Sequence, residues 1–407
     1  MVLAFSGGGT RAAAFSYGVL QTLRDTYVTI DGEKHRLLDE VDVITSVSGG
    51  SYTAAYYGLF GDRIFSDFSN DFLYSDWQSK LIGLVFRPDN LAAIASKSFG
   101  RSDLVAAYLD RTLFQHSSFA DMSQDGRPFV IINASDINNA TTFSFIQQHF
   151  DFLCSDLSTY PVANAVMASS AMPGLFSTIT LRNYEDCGVR HQPWVSDALS
   201  NDDFFDRRRV VALALDRYRH PDRMPILHLV DGGVTDNLGV RGSMMSPITH
   251  YGNVPDMAGA FTPAQLKRVR NVLVILANAQ VYTETDWSLS GRQPGLIGTV
   301  QASFDAALGI LNSETVTLAK QGFLMWEDHV NAARPPDAPG VKVHFSILTF
   351  DQIEDRETRD RFNAMPTTFH LTPVQVDALI TQSWALLQRS PEFTDFLRRI
   401  EQYSSEQ

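Results

Sequence analysis

A chain of 407 residues with 44% hydrophobic and 19% charged side chains can bury a large core, and its composition excludes an intrinsically disordered protein. A formal net charge of -13 excludes wrapping around nucleic acid, which relies on clustered Lys and Arg, so no nucleic-acid partner is expected. No uninterrupted apolar run approaches the roughly 20 residues of a bilayer-crossing helix, so no transmembrane segment is expected either.

Val2 to Phe5 reads as a short buried strand. It enters Gly7-Gly8-Gly9 and then a helix from Arg11 to Tyr27, where Ala14, Tyr17, Leu20, Leu23 and Tyr27 share one face. Val41 to Thr45 reads as a second strand and Gly49 to Phe60 as a second helix. Strand, glycine turn and helix occurring twice point to the α/β class with a mostly parallel sheet, in which ligands collect at the carboxyl ends of strands. Residues 60 to 127 form a helical, aromatic-rich insertion containing Phe60, Phe65, Phe68, Phe72, Tyr74, Trp77 and Phe86. Such an insertion could be a lid or an acyl-chain wall; ordinary core of a helical layer is the favoured reading. Further strands are expected at Pro128 to Asn133, Thr142 to Ile146, Pro225 to Val230, Asn271 to Ala277 and Val341 to Thr349. The Arg207-Arg208-Arg209 run reads as a solvated turn. Thr372-Pro373-Val374-Gln375 is a capping box with proline at the first helical position, opening a helix through Leu387.

Three stretches carry chemistry together. Phe5-Ser6-Gly7-Gly8-Gly9-Thr10-Arg11 is a glycine loop at a helix N-terminus, suited to a phosphate or to the oxyanion of an acyl-transfer intermediate. Ser46-Val47-Ser48-Gly49-Gly50 reads as G-x-S-x-G with serine at the first glycine, a strand-to-helix turn that lifts the Ser48 hydroxyl clear of the backbone. Ser46, Gly49 and Gly50 are the small residues that let the turn close. In Leu229-Val230-Asp231-Gly232-Gly233 a strand ends in an aspartate, and Gly232 and Gly233 permit close approach of another backbone. The serine needs a base. Either Asp231 takes its proton directly, which demands a desolvated carboxylate, or His250, His344 or His370 completes a Ser-Asp-His triad.

In that order, Gly7-Gly8-Gly9-x-Arg11, the elbow at Ser48 and Asp231-Gly232-Gly233 resemble the three signatures of patatin-like phospholipases. The resemblance spans roughly residues 2 to 240, and Ala168-Ser169-Ser170-Ala171-Met172-Pro173 is similar to the helix-then-proline element of that family. It implies a three-layer α/β/α sandwich and a Ser-Asp dyad hydrolysing acyl esters of phospholipids or related lipids. Ser48 would be nucleophile, Asp231 base, Gly7, Gly8 and Gly9 the oxyanion loop, and Arg11 a residue that orients this loop or binds the substrate's phosphate. Residues 1 to 250 would be the catalytic domain; residues 251 to 407 carry no motif and are expected to complete the same domain with extra strands and helices.

No cofactor and no metal are expected, and the expected partner is a lipid or membrane-surface substrate. A lipid-binding protein without catalysis, and a nucleotide-binding protein using the glycine loop, are the competing readings; the latter lacks a Walker lysine. The two cysteines, Cys154 and Cys187, either form one disulfide in an oxidising compartment or stay free in a reducing one. Met1-Val2-Leu3-Ala4-Phe5 contains no signal features, so the expectation is a cytoplasmic protein, or an exported, peripheral membrane-associated one whose upstream segment has been removed.

Overall fold

The apolar runs become strands buried on both faces. The computed structural model describes residues 1–30, 32–94, 99–122, 128–185, 187–188, 192–202, 207–241, 269–282, 287, 291, 293–334 and 339–405. Its strands are β1 (Val2–Phe5), β2 (Tyr27–Ile30), β3 (Glu33–Arg36), β4 (Val43–Val47), β5 (Phe129–Asp136), β6 (Thr141–Ser144), β7 (Ile179–Arg182), β8 (Ile226–Val230), β9 (Asn271–Ala277) and β10 (Lys342–Leu348). The main sheet runs β10-β9-β1-β4-β5-β8-β7, with β6 paired to β5. From β10 to β5 every pairing is parallel; β6, β8 and β7 are joined by antiparallel pairings.

Successive side chains of a strand point to opposite faces, and here both faces are covered. Leu3, Phe5, Ile44, Ile132, Leu273 and Ile275 belong to one core. It is shared with α1 (Gly9–Asp25), α2 (Gly49–Phe60), α3 (Val162–Ser169) and, further along the chain, α5 (Pro373–Arg389). Val2, Ala4, Val43, Ile131, Val272 and Val274 form the second core with Ala319, Phe323, Trp326 and Val330 of α4 (Leu296–Ala333). Each of these large side chains contributes about 1.5–3 kcal/mol by leaving water. The result is the expected α/β/α sandwich around a mostly parallel sheet. β9 and β10, from the motif-free C-terminal part, extend this same sheet beyond β1.

The aromatic stretch after α2 is mostly core. Phe68, Phe72 and Trp77 are buried, and Phe72 stacks on Tyr52 of α2 with ring centroids 4.5 Å apart; Phe86 is exposed. Cys154 and Cys187 form a disulfide across 33 positions, worth about 3–4 kcal/mol by the loop-closure argument.

Several local expectations are corrected. The first helix ends at Asp25, not Tyr27, because Tyr27-Val28-Thr29-Ile30 is a β-branched run that pairs with Glu33–Arg36 as a hairpin. The second strand ends at Val47, so it delivers Ser48 with no intervening residue. Arg207-Arg208-Arg209 opens a helix through Tyr218 in place of a turn; Arg209 donates to the carbonyls of Leu199 and Asn201. No helix among the described residues is long and apolar enough to cross a membrane.

Candidate active site

Ser48 sits between β4 and α2 with φ 49° and ψ -120°, a backbone conformation that non-glycine residues rarely adopt. Such strain costs on the order of 1–3 kcal/mol and persists only where neighbours impose it. Here the restraint is explicit: the Ser48 amide donates to Ser169 Oγ at 2.8 Å, and Ser169 Oγ donates to the Asn133 carbonyl at 2.6 Å. Ser51 Oγ lies 3.0 Å from Ser169 Oγ and donates to Ser46 Oγ at 3.1 Å, while Ser46 Oγ donates to the Ile131 carbonyl at 3.2 Å. Ser46 is therefore a buried hydrogen-bonding residue beneath the elbow.

Asp231 reaches Ser48 through an unexpected geometry. β8 runs antiparallel to β5 and overlaps only its last two residues, Ser135 opposite Val230 and Asp136 opposite Leu229. Because β5 also pairs with β4, Val47 opposite Asn133, the ends of β4 and β8 converge on the same stretch of β5. The Asp231 amide donates to the Ala171 carbonyl and the Gly232 amide to the Ser169 carbonyl, both at 3.0 Å. A Cβ on Gly232 would lie 2.4 Å from the Asn133 carbonyl oxygen, so only glycine lets β8 turn this close to β5.

The two side chains meet. Ser48 Oγ donates to Asp231 Oδ2 at 2.8 Å, and the Gly233 amide donates to Asp231 Oδ1 at 2.8 Å. Asp231 keeps some open surface, yet its carboxyl lies deep enough that desolvation raises its pKa to about 6, opposed by the bonds from Gly233 and Ser48. A carboxylate in that state is ionised at neutral pH and is a stronger proton acceptor than an ordinary aspartate.

The glycine loop passes beside Ser48, for a Cβ on Gly7 would lie 3.3 Å from Ser48 Cβ. Gly8 (φ 138°) and Gly9 (φ 59°) occupy backbone conformations suited to glycine. The three amides are not equivalent. The Gly7 amide donates to the Asn237 carbonyl at 2.9 Å, which removes it from the expected oxyanion cradle. The amides of Gly8, Gly9 and Gly49 meet no hydrogen-bond acceptor among the described residues. Gly49 and Gly9 touch backbone to backbone, a Cβ on Gly49 falling 2.0 Å from the Gly9 carbonyl oxygen, and the Gly50 amide donates to the Ser6 carbonyl at 3.2 Å.

For Arg11 the contacts favour one of its two expected roles, orienting the glycine loop, over binding the substrate's phosphate. It is 2% exposed and donates to the Ala279 carbonyl at 2.8 Å, the Met365 carbonyl at 2.6 Å and Thr367 Oγ1 at 3.0 Å. Burial lowers its pKa to about 10. A guanidinium so enclosed cannot meet a lipid phosphate; it ties the glycine-loop helix to the C-terminal part of the chain.

Neither His344 nor His370 is hydrogen-bonded to Ser48 or Asp231. His344 Nδ1 is 3.4 Å from Asp395 and His370 Nδ1 is 3.9 Å from Asp76, while His250 lies outside the described residues. No cluster of three metal-ligating side chains occurs among the described residues. Ser169, Asn133 and Asn237 gained no role from the sequence, although each sits in a recognisable place. Asn133 follows the apolar run Phe129 to Ile132, and Ser169 and Asn237 lie within the runs around Ala168 to Pro173 and Asp231 to Asn237.

A family model described as patatin-like phospholipase matches residues 3–243, a span that includes the glycine loop, Ser48 and Asp231. Among curated proteins none matches the chain.

Proposed function

The chain belongs to the patatin-like phospholipase family, a family of lipid acyl hydrolases, and we propose that it cleaves fatty-acyl esters with Ser48 as nucleophile and Asp231 as general base. The observation that carries this reading is the 2.8 Å hydrogen bond from Ser48 Oγ to a carboxylate whose pKa burial has raised to about 6. Ser48 Oγ attacks the ester carbonyl carbon while its proton passes to Asp231 Oδ2. The carbonyl oxygen becomes an oxyanion facing the amides of Gly8 and Gly9, which need no reorganisation to receive it. Collapse breaks the ester C–O bond, and the departing alcohol takes the proton from Asp231. Water then attacks the acyl–Ser48 ester, giving its proton to Asp231; the fatty acid leaves and the proton returns to Ser48.

The substrate is a lipid or a membrane-surface acyl ester, and the activity is that of a serine-dependent carboxylic ester hydrolase. The disulfide between Cys154 and Cys187 supports an oxidising compartment. Turnover of a p-nitrophenyl ester by wild type, Ser48→Ala and Asp231→Asn tests the dyad. Each variant should lose at least about a thousandfold in kcat while retaining its circular dichroism spectrum. Wild-type turnover in Asp231→Asn would remove Asp231 as the base and point to a histidine.

A further inference from the structure

The family match ends at residue 243, yet the segment Met365 to Phe369 is bound directly to the glycine loop. The Thr10 amide donates to the Thr368 carbonyl at 2.9 Å, Arg11 holds the Met365 carbonyl and Thr367 Oγ1, and a Cβ on Gly9 would fall 2.5 Å from the Thr368 carbonyl oxygen. The next side chain, Phe369, is half-buried, and its ring lies edge-on to Tyr52 and to Phe176, each at 6.0 Å between centroids. Each of these three rings is a short covalent step from a different part of the site. Phe369 follows the residue docked on Gly9. Tyr52 stands one helical turn after Ser48 on α2. Phe176 lies five residues after Ala171, whose carbonyl accepts the Asp231 amide.

The Tyr52 hydroxyl is fully buried beside that of Ser170 without closing a full hydrogen bond, and burial together with the Asp231 carboxylate pushes its pKa up. Tyr52 follows Ser48 by one helical turn, and the partly open rings of Phe369 and Phe176 meet edge-on. Half-open aromatic rings tied to the glycine loop and to the stretch that holds Asp231 offer apolar surface to a substrate.

We propose that Phe369, supplied by the C-terminal part of the chain, forms with Phe176 the wall of an acyl-chain subsite, backed by the buried Tyr52, and sets the preference for long over short acyl groups. This deepens the acyl-hydrolase reading and rests on it. The Arg11 and Thr368 contacts hold the wall in register with the glycine loop, so the chain's first and last thirds build one site.

The test compares kcat/KM for p-nitrophenyl butyrate and p-nitrophenyl dodecanoate in wild type, Phe369→Ala and Phe369→Leu, normalised to Ser48 titrated with a fluorophosphonate. Phe369→Ala should lower the dodecanoate value at least about tenfold, the loss of roughly two methylene contacts, while butyrate changes less than about threefold. Phe369→Leu should restore most of the dodecanoate activity. An equal change for both esters overturns the subsite and leaves the acyl-hydrolase reading standing, since it marks Phe369 as packing alone. A wild-type protein that reacts with the fluorophosphonate but turns over neither ester overturns both.

Discussion

Ser48 and Asp231 are 183 positions apart in the chain, and the hydroxyl of one donates to the carboxylate of the other across 2.8 Å. β5 makes this possible because β4 and the end of β8 pair with successive stretches of one edge, Phe129 to Asn133 and Ser135 to Asp136, while β6 takes the other edge. Neither strand alone carries the site; it exists where both end against Asn133 to Asp136.

The pH dependence of turnover should report the buried carboxylate. A general base must be ionised, so kcat/KM should fall as pH drops through about 6, the value to which burial raises Asp231. A pH profile measured with p-nitrophenyl butyrate checks this. A limb near pH 4, where an exposed aspartate titrates, would mean that the base is not desolvated.

The same burial has a cost in stability. The folded-state pKa of Asp231 lies above the unfolded value, so the stability contributed by its protonated form is fully present below about pH 4 and is lost as pH rises through about 6. Holding the charge at pH 8 therefore costs up to about 3 kcal/mol. Asp231→Asn, which is neutral, should be more stable than wild type to urea at pH 8, and the gain should vanish at pH 4.

Ser169→Ala should act on catalysis through the backbone. It removes the acceptor that holds the Ser48 amide and leaves a buried N–H unpaired, at about 1–3 kcal/mol. We expect kcat to fall about 10- to 100-fold with KM within about threefold, because the elbow loosens while the surfaces that bind substrate are untouched. A KM-dominated effect would contradict this positioning role.

Arg11→Gln separates a clamp from a headgroup ligand. Losing the hydrogen bonds to Ala279, Met365 and Thr367 should lower stability by about 2–4 kcal/mol and depress turnover of a neutral ester and a phospholipid by the same factor. A selective loss on the phospholipid, followed by product mass spectrometry from mixed vesicles, would return Arg11 to the substrate.

Much of the site could be read from the sequence because its three parts are local. A glycine loop, a serine elbow and a strand-end aspartate each announce themselves within ten residues, and their order carries the family resemblance. The antiparallel course of β8 could not be read, since a short apolar run looks alike in either direction. The fate of the Gly7 amide was hidden for a similar reason, because its acceptor is a carbonyl 230 residues away. Arg11 shows the limit most clearly. Beside a glycine loop a guanidinium suggests an anion, and only the packing of residues 279 and 365–367 reveals that the chain itself occupies it.

If Ser48 is a nucleophile activated by Asp231, its reactivity toward an electrophile depends on that carboxylate. Mapping a fluorophosphonate adduct by peptide mass spectrometry tests it most directly, with the labelling rate followed in wild type and Asp231→Asn. We expect a single adduct on Ser48, absent in Ser48→Ala and formed at least about a hundredfold more slowly in Asp231→Asn. An adduct on another serine, no adduct at all, or an unchanged rate in Asp231→Asn would contradict it.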